Sequence, residues 1–135
     1  RHPASDSADA VFNIARAATI VHAFSSGRLP LLRWGAQDRL HQPQRGALFP
    51  LFKLIDAATG AGAHGAWLSG AGPSVGAVVG GGPGADGARG ARDAIDLHAP
   101  HEVGRAMVAA AKAAAMSGRL VMAQIDDAGV ELDEV

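Results

Sequence analysis

Three groups of residues in this chain are suited to chemistry, and all three suit the binding of an anion. The first is "SGAGPS", Ser69, Gly70, Ala71, Gly72, Pro73 and Ser74, placed directly after the apolar run "GAWL". Consecutive backbone N–H groups in a glycine-rich turn can converge on an anion. Glycine also admits a phosphate or carboxylate where a Cβ would collide, and the two serine hydroxyls add donors. A plain connection between strands can use the same residues, so both readings stay open. The second group is Asn13 with Arg16, on one face of a helix by their spacing. An arginine on a helix that is otherwise apolar needs a structural carboxylate, a bound anion, or a route for its head to the helix rim. The third is Arg45, bracketed by Pro43 and Gly46 in "HQPQRG" with His41 nearby, on what reads as a connection where loop residues can meet a ligand.

Several other chemistries find no support. "SGAGPS" is not followed by the Gly-Lys-Ser/Thr of a phosphate-binding P-loop, and no G-x-G-x-x-G opens a helix after a strand. "GAWLSGAG" does not match the G-x-S-x-G nucleophile elbow. The absence of cysteine removes disulfides, thiolate metal sites and a cysteine nucleophile. The histidines do not cluster with carboxylates at metal-ligand spacing; His98 and His101 flank Pro100 at a helix start, and His22 reads as a hydrogen-bonded core histidine. The carboxylates Asp126, Asp127, Glu131, Asp133 and Glu134 read as solvated charge near the C-terminus.

The elements that must position these residues belong to a single domain of 135 residues, 48% hydrophobic and 19% charged, which is folded and soluble by composition. A net charge of -1 argues against nucleic acid or an anionic membrane as the main partner. No apolar run reaches the roughly 20 residues of a membrane span. The first residue is Arg1 rather than methionine, so the chain is expected to be the C-terminal part of something longer.

Along the chain, Ser5, Asp6 and Ser7 are N-cap types ahead of a helix that runs to Gly27, with Val11, Ile14, Ala15, Ala18 and Val21 as its core stripe. Ile20 and Phe24 continue the Asn13/Arg16 face, so this helix is expected to be buried on both sides. "LPLLRWGAQDRL" predicts a second helix with Leu32, Ala36 and Leu40 as its stripe, and "ALFPLFKLIDAATG" a third that ends at Gly60. Twelve of the 18 glycines then fall between residues 60 and 90, where tight turns matter more than helix stability. "HGAWLS" and "VGAVVG" predict two strands joined by the glycine loop, and residues 81–100 a flexible, exposed insertion. "HEVGRAMVAAAKAAAMSG" predicts a helix with Val103, Met107, Ala110 and Ala114 inward. "RLVMAQI" and "VELDEV" predict a closing pair of strands around the turn "DDAG". The order predicts an α+β domain, an antiparallel sheet packed with helices.

Three stretches taken together resemble one family: "DAVFNIARA" at 9–17, "QDRLHQPQRGALFP" at 37–50 and "GAWLSGAGPSV" at 65–75. In this order they are similar to homoserine kinases of the GHMP small-molecule kinase superfamily; the last matches the superfamily's C-terminal motif. The resemblance implies a ferredoxin-like C-terminal domain spanning residues 1–135. It also implies ATP-dependent, Mg²⁺-dependent phosphorylation of L-homoserine to O-phospho-L-homoserine on the route to threonine. By position it assigns the substrate's amino-acid head group to Asn13, Arg16 and Arg45, and support of the phosphate loop to Ser69–Ser74. The family's main ATP loop and its Mg²⁺-binding carboxylate do not occur in these residues. An N-terminal half of the same protein is therefore the expected partner, and this chain alone is expected to be inactive. A cytoplasmic or plastid setting is compatible, and a homo-oligomer is admitted. Two alternatives stand beside this reading: another GHMP small-molecule kinase acting on a sugar or isoprenoid alcohol, or a non-catalytic ferredoxin-like module that binds an amino acid as effector.

Overall fold

The computed structural model describes residues 7–80 and 98–124. Helix α1 spans Ser7–Ser26. A 3-10 turn at Leu29–Leu31 leads into the short α2, Leu32–Gly35, and α3 covers Gln42–Gly46. Helix α4, Leu51–Gly60, precedes an antiparallel pair, β1 (Gly65–Leu68) and β2 (Val75–Val78), and α5 is His98–Ala113. The hairpin pairs Gly65 with Val78 and Leu68 with Val75, so the six residues of the glycine loop bridge its end as the sequence predicts. The result is the expected α+β arrangement, with two strands among the described residues.

The core lies where α4 and α5 meet the hairpin. Ala58, Ala63, Ala66 and Val103 form its buried centre, with Ile55, Ala77, Val79 and Met107 packed around it. Small side chains dominate, which lets the two helices and the sheet approach closely. Leu32 and Leu51 supply the largest fully buried side chains, each worth about 1.5–3 kcal/mol by burial. Val103 and Met107 face inward on α5, as their spacing predicts.

Helix α1 packs against α2 through the face that carries Ile20. Gly35 makes this approach possible, since a Cβ there would lie 2.8 Å from the Ile20 Cγ1. The opposite face differs from expectation: Val11, Ile14 and Val21 are 66%, 70% and 68% exposed, so α1 is covered on one side only. Periodicity locates an apolar face but does not say what covers it. His22 lies on the open side and is exposed rather than held in a core; its carbonyl accepts the hydroxyls of Ser25 and Ser26 as the helix ends at Gly27, φ +70°.

Three other expectations change. The second helix stops at Gly35 instead of reaching Leu40, because Asp38 draws the following N–H groups into a turn of its own. Arg45 lies in the last turn of α3, not on an irregular connection. The far end of the predicted insertion, residues 98–100, is already helical, while 81–97 lie outside the described residues. "RLVMAQ", 119–124, has no ladder partner among the described residues, "VELDEV" lying outside them, and Leu120 lies against Gly104 of α5. "VELDEV" and the Ser5 and Asp6 caps fall outside the described residues.

Candidate functional site

A cleft of about 270 Å³ opens between α1, α2, β1 and the segment joining α2 to α3. That is near the small end of ligand pockets, about 300–1,000 Å³. Its apolar side is built from Ile20, Phe24, Leu32, Trp67 and Leu68, and its polar side from Asn13, Arg16, Asp38, His41 and Gln42.

Asp38 organises the polar side. Its Oδ1 accepts the Asn13 amide at 3.0 Å and the His41 N–H at 2.9 Å, as well as the Leu40 N–H; its Oδ2 accepts the Gln42 N–H at 3.3 Å. Burial pushes this carboxyl up, but the donors from His41, Asn13, Leu40 and Gln42 outweigh it and hold it below its ordinary value. Asn13 completes the latch by accepting the Arg39 N–H at 3.0 Å. Both ends of the Asn13 side chain are thus engaged with the 38–39 turn.

Gln42 is the one buried polar side chain among the described residues, 6% exposed. Its amide donates to the Ala36 carbonyl and its oxygen accepts the Leu68 N–H, each at 3.0 Å. It therefore ties the end of α2 to β1 beneath the cleft.

Arg16 is held differently. Its guanidinium lies over the Phe12 ring, 4.2 Å from the centroid, and Arg39 lies over the same ring at 3.9 Å. Arg39 also faces the Asp9 carboxylate at 3.9 Å. Arg16 has no ion pair among the described residues, and its buried Nε has no hydrogen-bond partner. A cation with an unsatisfied buried donor on a cleft wall is the arrangement that a bound carboxylate or phosphate would complete.

The glycine loop stands beside the cleft. Ser69 N–H donates to Ser74 O at 2.9 Å and Gly72 N–H to Ser69 O at 3.2 Å, which closes the turn. Gly72 has φ +82°, and a Cβ on it would sit 2.6 Å from Phe49 and 2.8 Å from Leu68. Glycine is required there by backbone and by packing. The Gly70 carbonyl accepts His41 Nε2–H at 3.1 Å, which links the loop to the polar side of the cleft.

The structure thus brings Asn13 and Arg16 into one cleft and joins Ser69–Ser74 to its edge through His41; the guanidinium of Arg45 does not line it. Sequence reasoning missed Asp38, Gln42 and Trp67. A readable signal existed for Asp38, an N-cap residue type shortly before a proline in a first helical turn. None existed for Gln42, whose role depends on the fold. Among the described residues, no three His, Asp or Glu side chains are grouped to hold a metal ion, and no helix is long and apolar enough to cross a membrane.

Comparison with known proteins adds a family. Residues 20–107 match the family model described as GHMP kinases C terminal. A homoserine kinase of Caldicellulosiruptor bescii is 53% identical over 72 residues, covering 53% of this chain and 24% of its own length. One from Thermus thermophilus is 47% identical over 72 residues, covering 53% and 25%. One from Desulfitobacterium hafniense is 36% identical over 129 residues, covering 94% of this chain and 38% of its own. The chain therefore spans between a quarter and two fifths of the relatives it matches. No solved structure matches it.

Proposed function

The chain belongs to the GHMP kinase family, whose C-terminal domain it carries, and on that premise we propose that it forms the substrate-recognising part of a homoserine kinase. The reaction is the ATP-dependent phosphorylation of the L-homoserine side-chain hydroxyl to O-phospho-L-homoserine, a step toward threonine. The observation that carries this reading is Arg16: a cation with a buried, unpartnered Nε on the wall of a small, mostly apolar cleft. It would receive the substrate carboxylate, while Ile20 and Trp67 pack against the carbon chain and the latch of Asn13 and Asp38 fixes the polar wall beside it. Arg45 remains a proposed contact only through a rearrangement of α3, since its side chain is not on the cleft.

ATP, when bound, supplies the phosphoryl group, and Mg²⁺ offsets the charge on it. The Mg²⁺ ligands do not fit the described residues, which offer no cluster of carboxylates. The glycine loop fits one edge of a phosphate: its exposed serine hydroxyls and the Gly70 and Ala71 N–H groups lie outside the hydrogen bonds that close the turn. The nucleotide loop and the metal carboxylate are accordingly proposed to lie on an N-terminal half, and this chain by itself to be inactive.

The test is ADP formation by the full-length protein offered L-homoserine, a sugar or an isoprenoid alcohol. Turnover specific to L-homoserine is expected. Equal or better turnover of a substrate without a carboxylate would assign another GHMP activity. L-Homoserine binding with no ATP turnover would assign the non-catalytic effector module instead.

A further inference from the structure

We propose that Asp38 is a positioning residue of this cleft, holding the segment between α2 and α3 in the arrangement that sets His41 against the glycine loop and closes the polar wall beside Arg16. The reaction it serves rests on the homoserine-kinase reading above; the clamp itself does not. Residues Gln37–His41 have no helix or strand ladder to fix them. The α3 helix that follows has five residues, too few to define its own start. What fixes both is one carboxylate that takes three backbone N–H groups in succession, from Leu40, His41 and Gln42, together with the Asn13 amide from α1. Hydrogen bonds to an ionised acceptor are the stronger kind.

The consequence reaches the ligand walls through the next two side chains. His41, whose N–H is clamped at 2.9 Å, places its ring on the Gly70 carbonyl, the first glycine of the loop. Gln42, clamped at 3.3 Å, spans from Ala36 to Leu68 under the cleft floor. Asn13, one turn before Arg16 on α1, is fastened to the same carboxylate. Asp38 thus joins the helix carrying the arginine to the loop beside the phosphate, although Asp38 need not touch the reacting atoms.

The experiment is Asp38→Asn in the full-length protein, which keeps the side chain's shape and one capping oxygen but replaces the second acceptor with a donor facing other donors. Steady-state kinetics are read for L-homoserine and ATP separately, with amide hydrogen exchange at Leu40, His41 and Gln42 and a thermal melt. The KM for L-homoserine is expected to rise about tenfold with that for ATP within about twofold. Protection of the three amides is expected to fall about tenfold while unfolding stays cooperative. An unchanged KM for L-homoserine, an equal rise in both KM values, or unchanged amide protection overturns the proposal. Should D38N not fold, Asp38→Ser, which retains a capping hydroxyl, is read in the same way. Should the wild-type protein not phosphorylate L-homoserine, the kinase reading falls and exchange alone decides for Asp38: lost protection supports the clamp, retained protection overturns it.

Discussion

Polar side chains of this domain divide by whether their partners are internal. Gln42 is fully internal: buried, with donor and acceptor both satisfied by backbone groups of other elements. Gln42→Leu preserves bulk but strands the Leu68 N–H and the Ala36 carbonyl. Each buried unsatisfied group costs about 1–3 kcal/mol, so the variant should lose at least that much. Val11→Ser on the open face of α1 should stay within about 0.5 kcal/mol of wild type. Urea denaturation of both variants checks the pair, and equal losses would show that the burial reading of α1 or of Gln42 is wrong. Arg16 stands on the other side of the division, because what would satisfy its Nε is not among the described residues. Sequence pattern singled out Arg16 through residue type, a charge on an apolar helix. It could not single out Gln42, because glutamine on a short polar stretch carries no mark of burial until β1 is laid over it.

At the scale of elements, the short helices depend on capping more than on propensity. The run "LPLLRWGAQDRL" has enough apolar periodicity to predict one helix through Leu40, yet α2 ends at Gly35. A local carboxylate competing for backbone N–H groups outweighs periodicity over so short a stretch. The hairpin and α5 were legible because their signals are long or redundant: strand formers flanking a glycine loop, and an alanine-rich helix with an inward Val103 and Met107. The Asp38 clamp also carries a pH dependence. Its carboxyl is held below the ordinary value of 3.8 in the folded state, so the folded state binds this proton less readily than the unfolded chain does. The resulting stabilisation is present above the ordinary value and is lost as pH falls through it toward the folded value. The urea-midpoint difference between wild type and D38N should therefore shrink from neutral pH to about pH 3. A difference that stays constant over that range would remove the charge from the explanation.

For the whole molecule, the open face of α1 is an exposed apolar surface. Val11, Ile14 and Val21 form an exposed apolar stripe on the helix whose other face builds the cleft. Such a patch favours association. The chain studied alone should self-associate in light scattering, and Ile14→Glu with Val21→Glu should return it toward monomer without lowering its melting temperature, because neither residue is buried. A monodisperse wild-type monomer would contradict this. The cleft remains the centre of the functional account, and it is probed by calorimetric titration of L-homoserine into the full-length protein, with Arg16→Gln and Arg45→Gln beside it. Binding that Arg16→Gln abolishes and Arg45→Gln weakens to a smaller degree is the predicted result; undiminished binding to Arg16→Gln would move the amino-acid site off this cleft.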